Sequence, residues 1–215
     1  MRITKKNMIE SQLKPEGISC LTTIDCISKV NREDFVPLKY IESSYAEFDI
    51  PLDNNYSMLR PIMVAKILQL LEIRKNDQIL EIGTGTGYLT CCMSILGKSV
   101  DTVDMDENIQ IKAKLSLDNY NLYNINFINE DVFSNWTPQK KYDVIVFTGS
   151  VDSRVEKIED SLKVNGRMFV VIGEHPVMTV NMITRVSEEK VISKQVFETT
   201  LDQLKNIHKK SYLNF

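Results

Sequence analysis

The chain has 215 residues, 43% of them hydrophobic, and a formal charge of −3. That length suits one domain with a core large enough to need no disulfide staples. The near-neutral balance supplies no global attraction to nucleic acid or an anionic membrane, and no apolar stretch approaches the roughly 20 residues of a membrane span. The N-terminus, Met1 to Asn7, lacks a signal-type apolar core, so the expected compartment is the cytoplasm. Cys20 and Cys26 have no metal-type spacing, Cys91 and Cys92 are adjacent, and neither His175 nor His208 is near a cysteine cluster. No metal is therefore expected, and no nucleophile, histidine and acid set is evident.

The N-terminal third opens with two short helices. Met8, Ile9, Gln12 and Leu13 predict one that ends before Pro15, and Leu21, Ile24, Ile27 and Val30 predict a second with helical spacing. After Pro37, residues 40–61 predict loop and short strand, followed by a helix over Ile62 to Leu71.

The next segment is the most informative. Ile79, Leu80 and Ile82 form a short apolar run bounded by Lys75-Asn76-Asp77 and by glycines, the pattern of a central strand in a parallel sheet. It enters Gly83-Thr84-Gly85-Thr86-Gly87, and a helix predicted from near Tyr88 carries Leu89, Cys92, Met93 and Leu96 on one face. Alternate glycines let the backbone turn sharply and approach a ligand, while the helix's unpaired N–H groups point back at the turn. Such a turn suits a nucleotide. A dinucleotide fingerprint would place its third glycine where Tyr88 stands, whereas here the glycine falls one residue early, at Gly87. Glu81, just before the turn, would repel a pyrophosphate and suit a cation.

Further strands follow in order. Val100 to Val103 predict one ending at Asp104, 21 positions beyond Gly83, the separation expected of a carboxylate that takes both ribose hydroxyls. Ile125 to Ile128 predict another, followed by Asn129-Glu130-Asp131. Tyr142 to Phe147 predict a fourth that ends in Thr148-Gly149-Ser150, and Leu162 to Arg167 turns into a strand over Met168 to Gly173. Val191 to Thr200 predicts a β-rich pair with the preceding strand, and the tail Tyr212-Leu213-Asn214-Phe215 is expected to pack back onto the sheet. The expected fold is one α/β domain with a mainly parallel sheet, helices on both faces and an antiparallel C-terminal pair. Within it, residues 1–61 form a helical cap and substrate segment, 62–175 a cofactor-binding core, and 176–215 the C-terminal strands and tail.

The glycine spacing together with Glu81 resembles motif I of the class I, Rossmann-like methyltransferases, whose cofactor S-adenosyl-L-methionine is a sulfonium with a free amino group. This resemblance implies that Glu81, Gly83, Thr84, Gly85, Gly87, Met105, Val132 and Thr148 bind that cofactor, with Asp104 at the ribose and Asp131 near the adenine.

From Asn7 to about Gly173 the chain resembles the protein-L-isoaspartate O-methyltransferase family, which methylates abnormal side-chain-linked aspartyl carboxylates of ageing proteins. The residues that carry it are Met8-Ile9-Glu10-Ser11-Gln12-Leu13, Gly17-Ile18, Val30-Asn31-Arg32-Glu33-Asp34-Phe35-Val36-Pro37, Tyr45, Pro51-Leu52 and Leu80 to Tyr88. Aligned back from Pro61, the family's Thr-Ile-Ser-x-Pro becomes Ser57-Met58-Leu59-Arg60-Pro61. A hydroxyl survives at Ser57, Leu59 replaces the family serine, and Arg60 is either a bidentate partner for a substrate carboxylate or a solvent-facing arginine. The implied activity is methyl transfer to a carboxylate of an isoaspartyl protein or peptide. The alternatives are another carboxylate or small-molecule acceptor, and a non-catalytic protein that binds S-adenosylmethionine. Thr148-Gly149-Ser150 stands where methyltransferases acting on planar nitrogens carry Asn/Asp-Pro-Pro-Tyr, which argues against a nucleic-acid acceptor.

Overall fold

A computed structural model of the chain describes residues 4–52 and 56–206. The expectation for Tyr212 to Phe215 lies outside those residues.

The cap begins with α1 (Lys5–Met8), whose N-cap Thr4 accepts from the amide of Asn7, and continues as a π-helical turn over Ile9–Leu13. Met8, Ile9 and Leu13 are buried, so the predicted apolar spacing marks the face that packs. Next comes α2 (Leu21–Lys29), which buries Thr23, Cys26 and Ile27. Leu21 is an exception to the predicted stripe: it is 81% exposed, because the face of α2 that packs runs through Thr23, Cys26 and Ile27, with Ile24 beside them, and turns Leu21 away. A two-residue hairpin, β1 (Ile50–Pro51) with β2 (Ser57–Met58), precedes α3 (Pro61–Leu71), which starts on the proline suited to a first helical position.

The main sheet is built on β3 (Gln78–Ile82), which is followed by the glycine turn and α4 (Tyr88–Leu96). Then come β4 (Ser99–Asp104), α5 (Glu107–Leu117), β5 (Ile125–Asn129), β6 (Tyr142–Val151), the single turn α6 (Glu156–Glu159), β7 (Leu162–Glu174), β8 (Val177–Arg185) and β9 (Val191–Thr199). The strand order is β5-β4-β3-β6-β7-β8-β9, parallel from β5 to β7 and antiparallel across β7, β8 and β9. The mainly parallel sheet with its antiparallel C-terminal pair is thus as expected.

Alternation along the strands divides the core in two. Ile79, Val100, Val144, Val146 and Phe169 pack on one side with the cap, α3 and α4. Leu80, Ile82, Val103, Ile145 and Phe147 pack on the other with Val132 and Ile158. The helix α4 is buried almost all round, with Cys91 as enclosed as Cys92. One boundary differs from expectation: β6 runs on through Thr148-Gly149-Ser150 to Val151. Ser150 pairs with Val171 of β7, while its amide donates to the Asp202 carbonyl and its carbonyl accepts from the Leu204 amide. These partners, distant in sequence, keep the segment extended. No helix among the described residues is long and apolar enough to cross a membrane.

The chain leaves β3 for β4 and β5 on one side, then returns to β6 on the other. The sheet therefore opens a crevice at the carboxyl end of β3, where α/β folds of this type bind their ligands.

Candidate active site

The glycine turn lies in that crevice. The Gly83 amide donates to the Val103 carbonyl at 2.8 Å and fastens the end of β3 to β4. Gly83 has φ +92°, and a Cβ there would lie 2.2 Å from the Thr148 hydroxyl oxygen, so a side chain there is strained and would displace Thr148. That hydroxyl donates to the Gly83 carbonyl at 2.7 Å, locking turn and strand together. Gly85, at φ +52°, faces open space instead. Gly87 is the N-cap of α4 and packs toward Ala113 of α5, lining no cavity at the turn.

Two carboxylates organise the turn from below. Glu81 is fully buried; its Oε2 accepts from the Thr90 hydroxyl at 2.5 Å and the Thr102 hydroxyl at 2.7 Å, while Oε1 has no partner. Burial pushes this carboxyl up to about 8, against the pull of the two hydroxyls and with a small push from Asp104. Asp104, at the end of β4, accepts from the amides of Thr84 (3.0 Å) and Asp106 (3.0 Å), with Gly85 at the limit of bonding at 3.5 Å. Burial raises its carboxyl too, and those amides oppose the rise.

Three cavities meet beside the turn, at Ser57 and Thr148. One is lined by Gly83, Gly85, Asp104, Met105, Asp131 and Val132, together with Tyr56 and Leu204. A small one beneath the acceptor segment is lined by Leu59, Glu81, Thr84 and Tyr88. The third, about 520 Å³, is lined by Leu59, Glu174, His175, Met178 and Asp202. Ser57 and Thr148 line all three. The first has the makings of a nucleoside site, with the Asp104 carboxylate beside the turn. The second is bordered by Glu81, whose carboxyl, once ionised, suits a cation. These features fit S-adenosylmethionine, which joins an adenosine to a cationic sulfonium and an amino group.

Among the expected site residues, Ser57, Leu59, Glu81, Gly83, Thr84, Gly85, Asp104, Met105, Asp131, Val132 and Thr148 come together at these cavities. Arg60 does not. Its amide and Nη1 donate to Asp49 at 2.8 Å each, its Nη2 donates to the Thr199 hydroxyl at 3.0 Å, and Nε lies 3.5 Å from Glu47. The arginine is thus neither directed at the acceptor cavity nor left to solvent.

Residues 201–206 fall in the expected C-terminal strands and tail with no role at the cofactor site, yet residues 202–205 line the nucleoside cavity. Leu204 lies against Gly149, the Lys205 ammonium sits 4.0 Å from the Tyr56 ring centroid, and the Asn206 amide donates to Asp131 at 3.0 Å. Nothing in their polar, aperiodic sequence signals this. Thr102 was legible in principle: it is a hydroxyl between the apolar residues Val100 and Val103 of a buried strand, in register with Glu81 across the β3–β4 pair.

The family model of protein-L-isoaspartate(D-aspartate) O-methyltransferase matches residues 3–205. The chain belongs to this family. Among its relatives, the protein-L-isoaspartate O-methyltransferase of Petrotoga mobilis is 31% identical, with 84% of this chain and 85% of that protein covered. That of Geobacter metallireducens is 28% identical, with 90% of each covered. A Plasmodium falciparum protein solved in complex with S-adenosyl-L-homocysteine has the same fold, with a TM-score of 0.81 at 18% identity, covering 94% of this chain and 97% of that one. A solved protein-L-isoaspartate O-methyltransferase gives 0.78 at 23% identity, with 93% and 65% covered. As a family member the chain is an S-adenosylmethionine-dependent O-methyltransferase.

Proposed function

We propose that the chain methylates the free carboxylate of isoaspartyl residues in proteins and peptides, with Ser57 and Thr148 at the point of transfer. The observation that carries this is the meeting of the nucleoside, Glu81 and acceptor cavities at those two residues. The Ser57 hydroxyl has no hydrogen-bond partner among the described residues, which leaves it available to an acceptor oxygen.

When bound, S-adenosylmethionine supplies an electrophilic sulfonium methyl. A carboxylate with a pKa near ~4 is already ionised at neutral pH, so the protein needs no general base to activate it. Its task is placement: Ser57 orients the acceptor oxygen, Leu59 and Met178 exclude water, and the glycine turn, Glu81 and Asp104 hold the methyl donor. Such placement is worth about 7–11 kcal/mol of barrier. Leu59 in place of the family serine removes one orienting hydroxyl and leaves Ser57 to serve alone.

We take residues 1–61 as the helical cap and substrate segment, 62–175 as the cofactor-binding core and 176–215 as the C-terminal strands and tail of one domain. The four cysteines are all unpaired, which supports the cytoplasm as the compartment. The test is transfer of labelled methyl to an isoaspartyl peptide, with the normal aspartyl peptide as control. Selective labelling is expected. Cofactor-binding protein that labels neither peptide would favour a different acceptor or a binding role.

A further inference from the structure

Arg32 is fully buried, although among the described residues it forms no ion pair with any carboxylate. Burial works against its charge, which Glu47 and Asp49 support only at longer range. Its Nε donates to the Ser44 carbonyl at 2.7 Å and its Nη2 to the Leu59 carbonyl at 2.5 Å, while Nη1 is buried without a partner. The guanidinium carbon lies 5.2 Å from the centroid of the Tyr88 ring. Phe35, three residues on, meets the same ring edge to face with centroids 5.6 Å apart.

A buried cation with no direct counter-ion is costly, and an apolar side chain of similar volume would pack there without that cost. The geometry indicates what the charge does instead. Leu59 belongs to the acceptor segment, two residues beyond Ser57, and Tyr88 is the first residue of α4, directly behind the glycine turn. One planar side chain therefore bonds to the acceptor segment and sits over the ring of the first residue of the cofactor helix. Lysine cannot reproduce the arrangement, since a single ammonium lacks the planar fork that reaches the Ser44 and Leu59 carbonyls together while lying over the ring.

We propose that Arg32 is a positioning residue for methyl transfer, setting the height of the acceptor segment over the cofactor turn by holding the Leu59 carbonyl against Tyr88. This rests on the acceptor site proposed above. Transfer requires acceptor oxygen and methyl to meet at roughly 3 Å, so a displacement on the order of 1 Å at Ser57 costs rate without loosening cofactor binding.

The test is Arg32→Lys in the full chain, read three ways. Isoaspartyl-peptide kinetics should show kcat reduced at least tenfold with KM changed less than threefold. The Kd for S-adenosyl-L-homocysteine by calorimetry should stay within threefold of wild type. Hydrogen exchange of residues 56–62 should quicken at least tenfold, with α4 unchanged. Exchange is independent of turnover, so it decides the point even if the wild-type protein methylates no isoaspartyl peptide, an outcome that would overturn only the acceptor assignment. If Arg32→Lys does not fold, Arg32→Gln, which keeps one donor and brings no charge to bury, is read against the same thresholds. The proposal is overturned if exchange at 56–62 is unchanged, or if kcat falls only as cofactor affinity and folded fraction fall.

Discussion

The Thr102 hydroxyl donates to the Glu81 carboxyl at 2.7 Å from the neighbouring strand, with the two residues in register across β3 and β4. Even with a second hydroxyl from Thr90, this support does not offset burial, and the Glu81 carboxyl stands at about 8 against an ordinary 4.5. The folded, ligand-free protein therefore holds a proton at Glu81 that the unfolded chain has released, throughout the range between those values. Stability from this group is fully present below about 4.5 and is lost as pH rises through about 8. Denaturant unfolding at pH 6 and pH 8.5 should show the ligand-free protein weaker at the higher pH. Glu81→Gln, which keeps an acceptor for both hydroxyls, should remove most of that difference. An identical pH slope in the variant would mean that Glu81 is not the group responsible.

The same proton links pH to cofactor binding. Glu81 borders the small cavity by the glycine turn, and its free oxygen is suited to a cation. Binding of S-adenosylmethionine should favour the ionised form and release a proton near neutral pH. Calorimetry in two buffers of different ionisation enthalpy should report that release, and Glu81→Gln should abolish it. Equal apparent enthalpies in the two buffers for the wild-type protein would count against a charged contact at Glu81.

Asp104 serves the turn and the nucleoside together. Its carboxylate accepts from the amides of Thr84 and Asp106 and also lines the nucleoside cavity, where it has lone pairs left for hydroxyl groups. Asp104→Ala should weaken S-adenosyl-L-homocysteine binding by more than tenfold, measured by calorimetry. Unchanged affinity would remove Asp104 from the cofactor site.

What could be read from the sequence was whatever short range decides. Ile79, Leu80 and Ile82 are apolar on both faces of a strand, so β3 was evident, and the glycines beside it fixed the turn. Arg60 was not legible, because its partners Asp49 and Thr199 lie 11 and 139 positions away and nothing local selects them. The extension of β6 beyond Phe147 likewise depends on backbone partners at Asp202 and Leu204. The exposed side of α2 at Leu21 depends on which neighbours the helix meets, which periodicity alone does not specify.

Leu59 is partly buried against the core of the cap. Leu59→Ser would restore the family's hydroxyl at a cost of about 1–2 kcal/mol in lost apolar burial. Isoaspartyl kcat/KM should rise by about one to two decades, since a well-placed orienting hydroxyl is worth about 1–3 kcal/mol at a transition state. A Leu59→Ser protein that folds and binds cofactor with no gain would show that Ser57 already supplies the whole of the orienting role.

Arg60 separates two mechanisms by the quantity it moves. If it clamped the acceptor carboxylate, Arg60→Met would raise the peptide KM by a hundredfold or more and leave stability nearly intact. The structure instead has it tying β9 to the acceptor hairpin, bonded to Asp49 and Thr199 with Glu47 nearby. Arg60→Met should therefore lower stability by about 1–2 kcal/mol, a figure reduced for the quarter of the side chain that water reaches. Peptide KM should change less than fivefold. Asp49→Asn made together with Arg60→Met should cost less than the sum of the two alone, since each variant breaks the same pair. Strict additivity with a large rise in KM would return Arg60 to the acceptor.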